Sequence, residues 1–153
     1  MTKKTAWGLC FLLGLCGYVN AADLCPNLTG QYLIQGGDGE VLLTISQRGC
    51  EEIRIDRTAN HLGKITTDQH NLRIDGKFQS DTPWPGSSEP LQTSAKFISS
   101  ALEILVRPLS SRTDSEISAR FLYVLRSSGD LDIREYDRKS DAYIPSVMAV
   151  RQQ

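Results

Sequence analysis

The side chains of this 153-residue chain that are best suited to chemistry belong to four cysteines and two histidines. His61 and His70 lie in a polar segment, residues 58–71, without the close spacing and companion ligands that a metal site needs. No nucleophile elbow and no recognisable triad order accompanies them. We therefore predict two solvated loop histidines, no metal site and no cofactor, and we expect that the protein is not an enzyme.

Carboxylates give the second candidate chemistry, because a pair of them can act as general acid and general base. Surface carboxylates at turns are far commoner than catalytic pairs, and the sequence does not indicate which of them are close in space. We interpret the candidates as solvated turn residues: Asp56, Asp75, Asp81 and Glu89. The charge-dense run over residues 134–141 is interpreted in the same way, as a solvated hairpin.

The first 21 residues have the three-part layout of a secretory signal peptide. Two lysines precede an uncharged apolar run over residues 5–16, and residues 19–21 place small or compact side chains where a signal peptidase reads them. The apolar run is shorter than the roughly 20 residues that span a bilayer. We predict cleavage after Ala21, or as a second choice after Ala22. The mature protein, residues 22–153, then has no membrane span and is periplasmic, released to the medium or secreted by a eukaryotic route.

The signal peptide also decides which cysteines can pair. Cys10 and Cys16 leave with it, so the mature chain keeps Cys25 and Cys50 as an even pair in an oxidising compartment. We predict a disulfide between them. The bridge closes a loop of about 25 residues, for which the chain-entropy model gives about 3 kcal/mol of stabilisation.

Composition limits the size of the protein and the class of its partners. The 132 mature residues suit one domain with a real core. Loss of the two signal-peptide lysines takes the formal net charge from −1 to −3. A mildly acidic chain without a basic stripe argues against nucleic acid as the main partner.

Period-two alternation of apolar and polar residues predicts strands through most of the mature chain. We expect about eight, joined mainly by glycine-containing turns: 31–35, 40–47, 51–56, 70–75, 97–106, 116–125, 130–136 and 146–151. Residues 79–93 contain three prolines and are predicted to form a long irregular loop. Short connections favour antiparallel neighbours, so we predict an all-β, single antiparallel up-and-down barrel, with a two-sheet β-sandwich as the alternative.

The run CPNLTGQY from Cys25 to Tyr32 is similar to the opening of calycin-type barrels, the group that contains lipocalins, avidins and fatty-acid-binding proteins. It also resembles small secreted bacterial barrels with the same start, many of unknown function. Calycins typically begin with Gly-x-Trp, and an arginine from the last strand packs across that Trp. Gly30 and Tyr32 match this pattern with Tyr in place of Trp, and Arg151 stands where the arginine is expected. The resemblance implies that these residues close the barrel base.

Aromatic residues are the candidate contacts for a ligand or partner. Trp84, the single Trp of the mature chain, lies between two prolines of the 79–93 loop and is interpreted as a lid or contact residue; the alternative is that it folds back onto the barrel. Phe78 and Phe97 flank this loop, as contact or core residues. Tyr123 is predicted to face the interior, together with six apolar residues: Leu43, Ile45, Ile53, Leu102, Ile104 and Phe121.

A barrel of this size either encloses one small ligand or is filled by its own side chains. We therefore predict an exported, disulfide-linked barrel that binds a small apolar or amphipathic ligand. The alternative is a protein-interaction module of the cell envelope, or a secreted enzyme inhibitor, that uses the 79–93 loop. An interior void would favour the first hypothesis, whereas a filled interior would favour the second.

Overall fold

The computed structural model describes residues 25–36, 39–81, 89–113, 116–137, 141–144 and 146–153. The predicted signal peptide, its cleavage after Ala21 and the contact role of Trp84 lie outside these residues and stay predictions.

The described residues form eleven β-strands, and every recorded pairing between them is antiparallel. Ten strands follow one path, β4-β3-β2-β1-β11-β9-β8-β7-β6-β5, and β10 pairs with β9. Their bounds are β1 (Gly30–Gly36), β2 (Gly39–Arg48), β3 (Glu52–His61), β4 (Lys64–Arg73), β5 (Gln79–Asp81), β6 (Leu91–Ile98), β7 (Ala101–Pro108), β8 (Ala119–Leu125), β9 (Leu131–Asp137), β10 (Ala142–Tyr143) and β11 (Val147–Arg151). The fold is an all-β, up-and-down, nearly closed barrel, which confirms the predicted class with a somewhat higher strand count.

The barrel is nearly closed because its first and last long strands pair, while the two ends of the strand path only lie side by side. β1 and β11 share a register in which Tyr32 is opposite Arg151. β4 lies beside β5 and β6, but no ladder joins β4 to either strand in the described part of the chain. Just after the end of β4, the Gly76 amide donates a hydrogen bond to the Ala95 carbonyl of β6 at 2.9 Å. We call this junction the β4–β5 seam.

The segment that holds both histidines is a hairpin rather than the predicted loop. β3 and β4 pair over ten residues each and turn at Leu62 and Gly63, both in the left-handed region of φ. The upper part of this hairpin carries Thr and charged residues on both faces, so the apolar alternation that marks a half-buried strand is missing. The prediction failed there because strand formation depends on backbone pairing, which polar β-branched residues also support.

The predicted single strand over residues 97–106 is also wrong, because two strands meet in it. β6 and β7 form a hairpin whose turn places Ser99 at a φ of 55°, a conformation that usually selects glycine. The two-residue turn shifts the alternation by one position, so Phe97 packs against the core and Ile98 is 40% exposed. Within the predicted 79–93 loop, the ends are strands, namely β5 and the beginning of β6.

The base of the barrel is the end where β1 begins and β2 ends; we call the other end the mouth. Tyr32 is fully buried there, and its hydroxyl donates to the Leu28 carbonyl at 2.9 Å. The Arg151 guanidinium carbon lies 5.9 Å from the centre of the Tyr32 ring. A Cβ on Gly30 would approach the ring to 3.2 Å, so glycine gives the ring its room. Beside this group, Cys25 and Cys50 form the predicted disulfide, with Cα atoms 5.7 Å apart.

On the outer wall, Asp132 of β9 is held by arginines. Arg134 donates to its carboxylate at 2.7 Å, and Arg126 forms a second ion pair with it. The hydrogen bond from Arg134 is the main cause that lowers the pKa of Asp132 below its ordinary value, and bonds from Ser146 and Arg126 add to it, against burial, which acts to raise it.

We expect Asp132→Asn to remove part of the acid sensitivity of folding. A carboxyl whose pKa is lower in the folded than in the unfolded chain stabilises the fold above the unfolded pKa, and that stability is lost as the pH falls through the folded value. Urea unfolding between about pH 6 and pH 2 should therefore show a smaller loss for the variant than for the wild type. Equal losses in both proteins would show that this carboxylate does not contribute.

Candidate functional site

The interior of the barrel changes character between base and mouth. On five strands, β1, β2, β3, β4 and β9, inward side chains are buried toward the base and become partly or fully exposed toward the mouth. Tyr32 and Ile34 of β1 show this step, as do Leu43 and Val41 of β2. β6 and β7 differ, because their inward side chains stay buried toward the mouth, as Leu91 and Val106 show. The base half is therefore packed, and the mouth half of the interior has partly exposed side chains on those five strands; we call this mouth half the cup.

Part of the cup wall is apolar. Its partly buried side chains pack against the main core and come from four strands: Ile34, Val41, Ala119, Phe121 and Ile133. Below them lies a continuous core of buried residues that includes six of the seven side chains predicted to face inward: Leu43, Ile45, Ile53, Leu102, Ile104 and Tyr123. The seventh, Phe121, belongs to the cup wall. The six buried residues therefore fill the base of the barrel beneath the cup.

The opposite part of the wall is a chain of charged and polar side chains that crosses four strands. Arg57 of β3 contacts one oxygen of Asp68 on β4, with both its Nε and one terminal nitrogen at 2.8 Å. The other Asp68 oxygen lies 3.0 Å from Nε2 of His70. Nδ1 of His70 lies 2.9 Å from Asp81 of β5, whose same oxygen accepts the Thr93 hydroxyl at 2.8 Å. We call these five residues the charged chain.

The position of His70 corrects a prediction. The side chain is 1% exposed, not solvated, whereas His61 ends β3 at the mouth and is exposed. Asp81, interpreted above as a turn carboxylate, is likewise buried at 3% side-chain exposure. The signal in the sequence is the Asp68-x-His70 spacing, which puts both side chains on one face of a strand. Reading the segment as a loop concealed it, and Asp81 is 11 positions further on.

Tyr123 faces the charged chain from across the cup. It lies on β8, which does not pair with β3 or β4, yet Arg57 and Asp68 both act on its ionisation. Burial is the main cause that raises the pKa of Tyr123 to about 12, Arg57 acts to lower it, and Asp68 acts to raise it. The phenol is therefore un-ionised at neutral pH. Its hydroxyl makes no hydrogen bond within the described residues, although the side chain is 5% exposed.

The remaining predicted contact residues are not part of this arrangement. Phe97 packs against the core on β6 near the base. Phe78 lies under the guanidinium of Arg107, 3.7 Å from its ring centre, and Arg107 also donates to Gln92 on β6. Among the four predicted contacts, Tyr123 alone is a described residue beside the charged chain.

Solvent reaches the charged chain on its Arg57 side. The Arg57 side chain is 26% exposed, and a surface depression lined by residues 56–58 and 67–69 opens beside the Arg57–Asp68 pair. A second depression lies near the base between β2, β3 and β4, and its lining charges Arg48 and Glu52 form a surface ion pair at 2.7 Å. We therefore take the first, which borders buried charge, as the candidate position for a polar group; the apolar side chains of the cup do not line it.

The described residues contain no group of three or more His, Cys, Asp or Glu side chains arranged to hold a metal ion. Within the same residues, no helix has the length and apolar character to cross a membrane.

Comparison with known proteins finds no matching family model, no similar curated protein and no similar solved structure. The nearly closed antiparallel barrel is compatible with a calycin-like fold, which by itself does not assign a function.

Proposed function

We propose that this protein is an exported calycin-like carrier whose cup binds one small amphipathic ligand. The apolar part of the ligand lies against Ile34, Val41 and Phe121, and its polar head contacts Arg57 and Tyr123. The observation that carries the proposal is the partly exposed mouth half of the interior, with apolar side chains on β1, β2 and β8 and charged side chains on β3 and β4, above a packed base. Recesses that are mostly apolar with a few convergent polar groups are the usual form of ligand sites.

The two groups that face the cup select a head that accepts hydrogen bonds. Arg57 has five N–H groups, and Asp68 engages only its Nε and one terminal nitrogen. The guanidinium is partly exposed and keeps donors for a ligand. Tyr123 remains protonated because its pKa is raised, so its hydroxyl is a second donor. Two donors and an apolar wall fit a carboxylate or similar oxygen-rich head on a hydrocarbon chain.

The state of His70 supports binding rather than catalysis. A general base needs a nitrogen with a free lone pair near the substrate. Both ring nitrogens of His70 already face carboxylate oxygens, and the ring is buried. His70 is therefore assigned to positioning Asp68, which in turn holds Arg57.

We expect Arg57→Met to weaken binding of a fluorescent fatty carboxylate by about 10- to 100-fold, because a charge-assisted hydrogen bond contributes about 1.5–3 kcal/mol. Methionine keeps the aliphatic bulk and removes the donors. Fluorescence titration of the oxidised protein, with displacement by unlabelled carboxylate, measures the affinity.

Arg54→Met is the matched control, since Arg54 lies on the same strand and pairs with Asp56 at 2.9 Å in an exposed ion pair. It should bind the probe as the wild type does. A fatty alcohol of the same chain length should lose little affinity in Arg57→Met. Unchanged carboxylate affinity in Arg57→Met, or the absence of saturable one-to-one binding to the wild type, would overturn the proposal.

A further inference from the structure

The charged chain lies across the β4–β5 seam. Asp68 and His70 belong to β4, Asp81 to β5 and Thr93 to β6. No backbone ladder joins β4 to β5 or β6 among the described residues, so side chains connect β4 to β5: the buried His70–Asp81 bond and, toward the base, an exposed bond from Arg73 to Gln79 at 3.5 Å. Every other neighbouring pair in the strand path is joined by a ladder.

The His70 bonds specify the protons on its ring. A carboxylate is an acceptor, so each ring nitrogen must carry a hydrogen to bond the oxygen it faces. A neutral imidazole has one such hydrogen, whereas an imidazolium has two. Nδ1 faces Asp81 at 2.9 Å and Nε2 faces Asp68 at 3.0 Å. The arrangement therefore needs the doubly protonated ring.

The charges around the ring agree with this assignment. Asp68 on β4 and Asp81 on β5 are the acids that face it, and Arg57 on β3 is the nearby base. Thr93 on β6 does not titrate, and Tyr123 on β8 is un-ionised. Two carboxylates, one guanidinium and one imidazolium sum to zero charge. Loss of a ring proton would leave an excess negative charge in a buried place, which is costly.

We propose that His70 is a proton-dependent latch on the β4–β5 seam. When both ring nitrogens carry protons, the seam is closed and Asp68 is held against Arg57. When the pH rises and Nδ1 loses its proton, its lone pair faces the Asp81 carboxylate, the His70–Asp81 bond is lost, and β4 moves apart from β5. The latch is closed at the lower pH and opens as the pH increases. The effect of the latch on ligand binding rests on the proposed function, because the latch controls the position of Arg57, which contacts the polar head of the ligand.

The test uses the full oxidised mature protein without ligand. Ring ¹⁵N NMR reports the protons on His70, and amide hydrogen exchange, corrected for its intrinsic pH dependence, reports the opening of β4. Between about pH 6 and pH 9, we expect loss of one ring proton together with a fall of about tenfold or more in the protection of residues 64–73. His61→Gln, which removes the exposed second histidine, should behave as the wild type does.

His70→Gln should show low protection of β4 at both pH values. Because the wild-type arm stands alone, the test does not depend on this variant folding. A ring with one bare nitrogen at about pH 6, or protection of β4 that does not change as the ring titrates, would overturn the latch. The two proposals fail separately. If no fatty carboxylate binds but β4 opens as the pH increases, the carrier proposal is overturned and the latch proposal is supported. If a fatty carboxylate binds but β4 does not open, only the latch proposal is overturned.

Discussion

Replacing Tyr32 with alanine is expected to lower the free energy of unfolding by about 3–5 kcal/mol, the range for removing a large aromatic side chain from a core. Tyr32 is fully buried at the barrel base, under Arg151 and against Gly30. It also lies on β1, which pairs with β11, so its loss weakens the junction between the two ends of the chain. Urea denaturation of the oxidised protein measures the change.

Tyr32→Phe separates packing from hydrogen bonding. It keeps the ring and removes only the hydroxyl that donates to the Leu28 carbonyl, so a loss of about 0.5–1.5 kcal/mol is expected. If the free energy of unfolding of Tyr32→Ala were within about 1 kcal/mol of the wild-type value, the Tyr32 side chain would not be what closes the base of the barrel.

Asp81→Ala should be comparably severe, with an expected loss of about 3–5 kcal/mol in the free energy of unfolding. The substitution leaves Nδ1 of His70 and the hydroxyl of Thr93 without the carboxylate that each contacts. Removing one member of a buried charge pair costs more than the pair contributes, because the remaining charge stays buried and loses one of the two carboxylates that it faces. Urea denaturation near neutral pH gives the value.

Asp56→Ala is the matched control on the outer wall. Asp56 is a carboxylate in an ion pair with Arg54, but its side chain is 35% exposed, and exposed pairs contribute about 0–1 kcal/mol. We therefore expect little change. Equal effects of the two substitutions would contradict the assignment of Asp81 to a buried network.

The sequence predicted the fold better than the site. Strict alternation in residues 40–47 and 130–136 matches β2 and β9 closely, because each strand has one face in the core and one in water. The signal-peptide argument left one cysteine pair, and the structure joins it. The calycin-like opening predicted Gly30, Tyr32 and Arg151 as neighbours, and they lie together at the base.

The site was missed because it depends on contacts that sequence patterns do not encode. Arg57, Asp68 and His70 occupy a polar hairpin that shows no apolar alternation, although its inner face is inside the barrel. Asp81 and Thr93 join them only because the strand path brings its two ends together. Charged side chains are rarely buried, so the sequence alone favours solvated positions for these residues as long as their partners are unknown. Of the residues in this arrangement, Tyr123 alone was predicted as a contact, because its strand alternates clearly.

Native mass spectrometry of the protein purified from its own host tests the proposal that the cup carries an amphipathic ligand. Two samples are measured: the protein as purified from its host, and the same protein stripped of ligand and then incubated with fatty carboxylates. Each should show one extra mass per chain that survives gentle conditions and is lost on denaturation. The bound molecule should have an oxygen-rich head on an apolar chain. A chain without any bound molecule in both samples, with the Cys25–Cys50 bridge intact, would contradict the proposed carrier function.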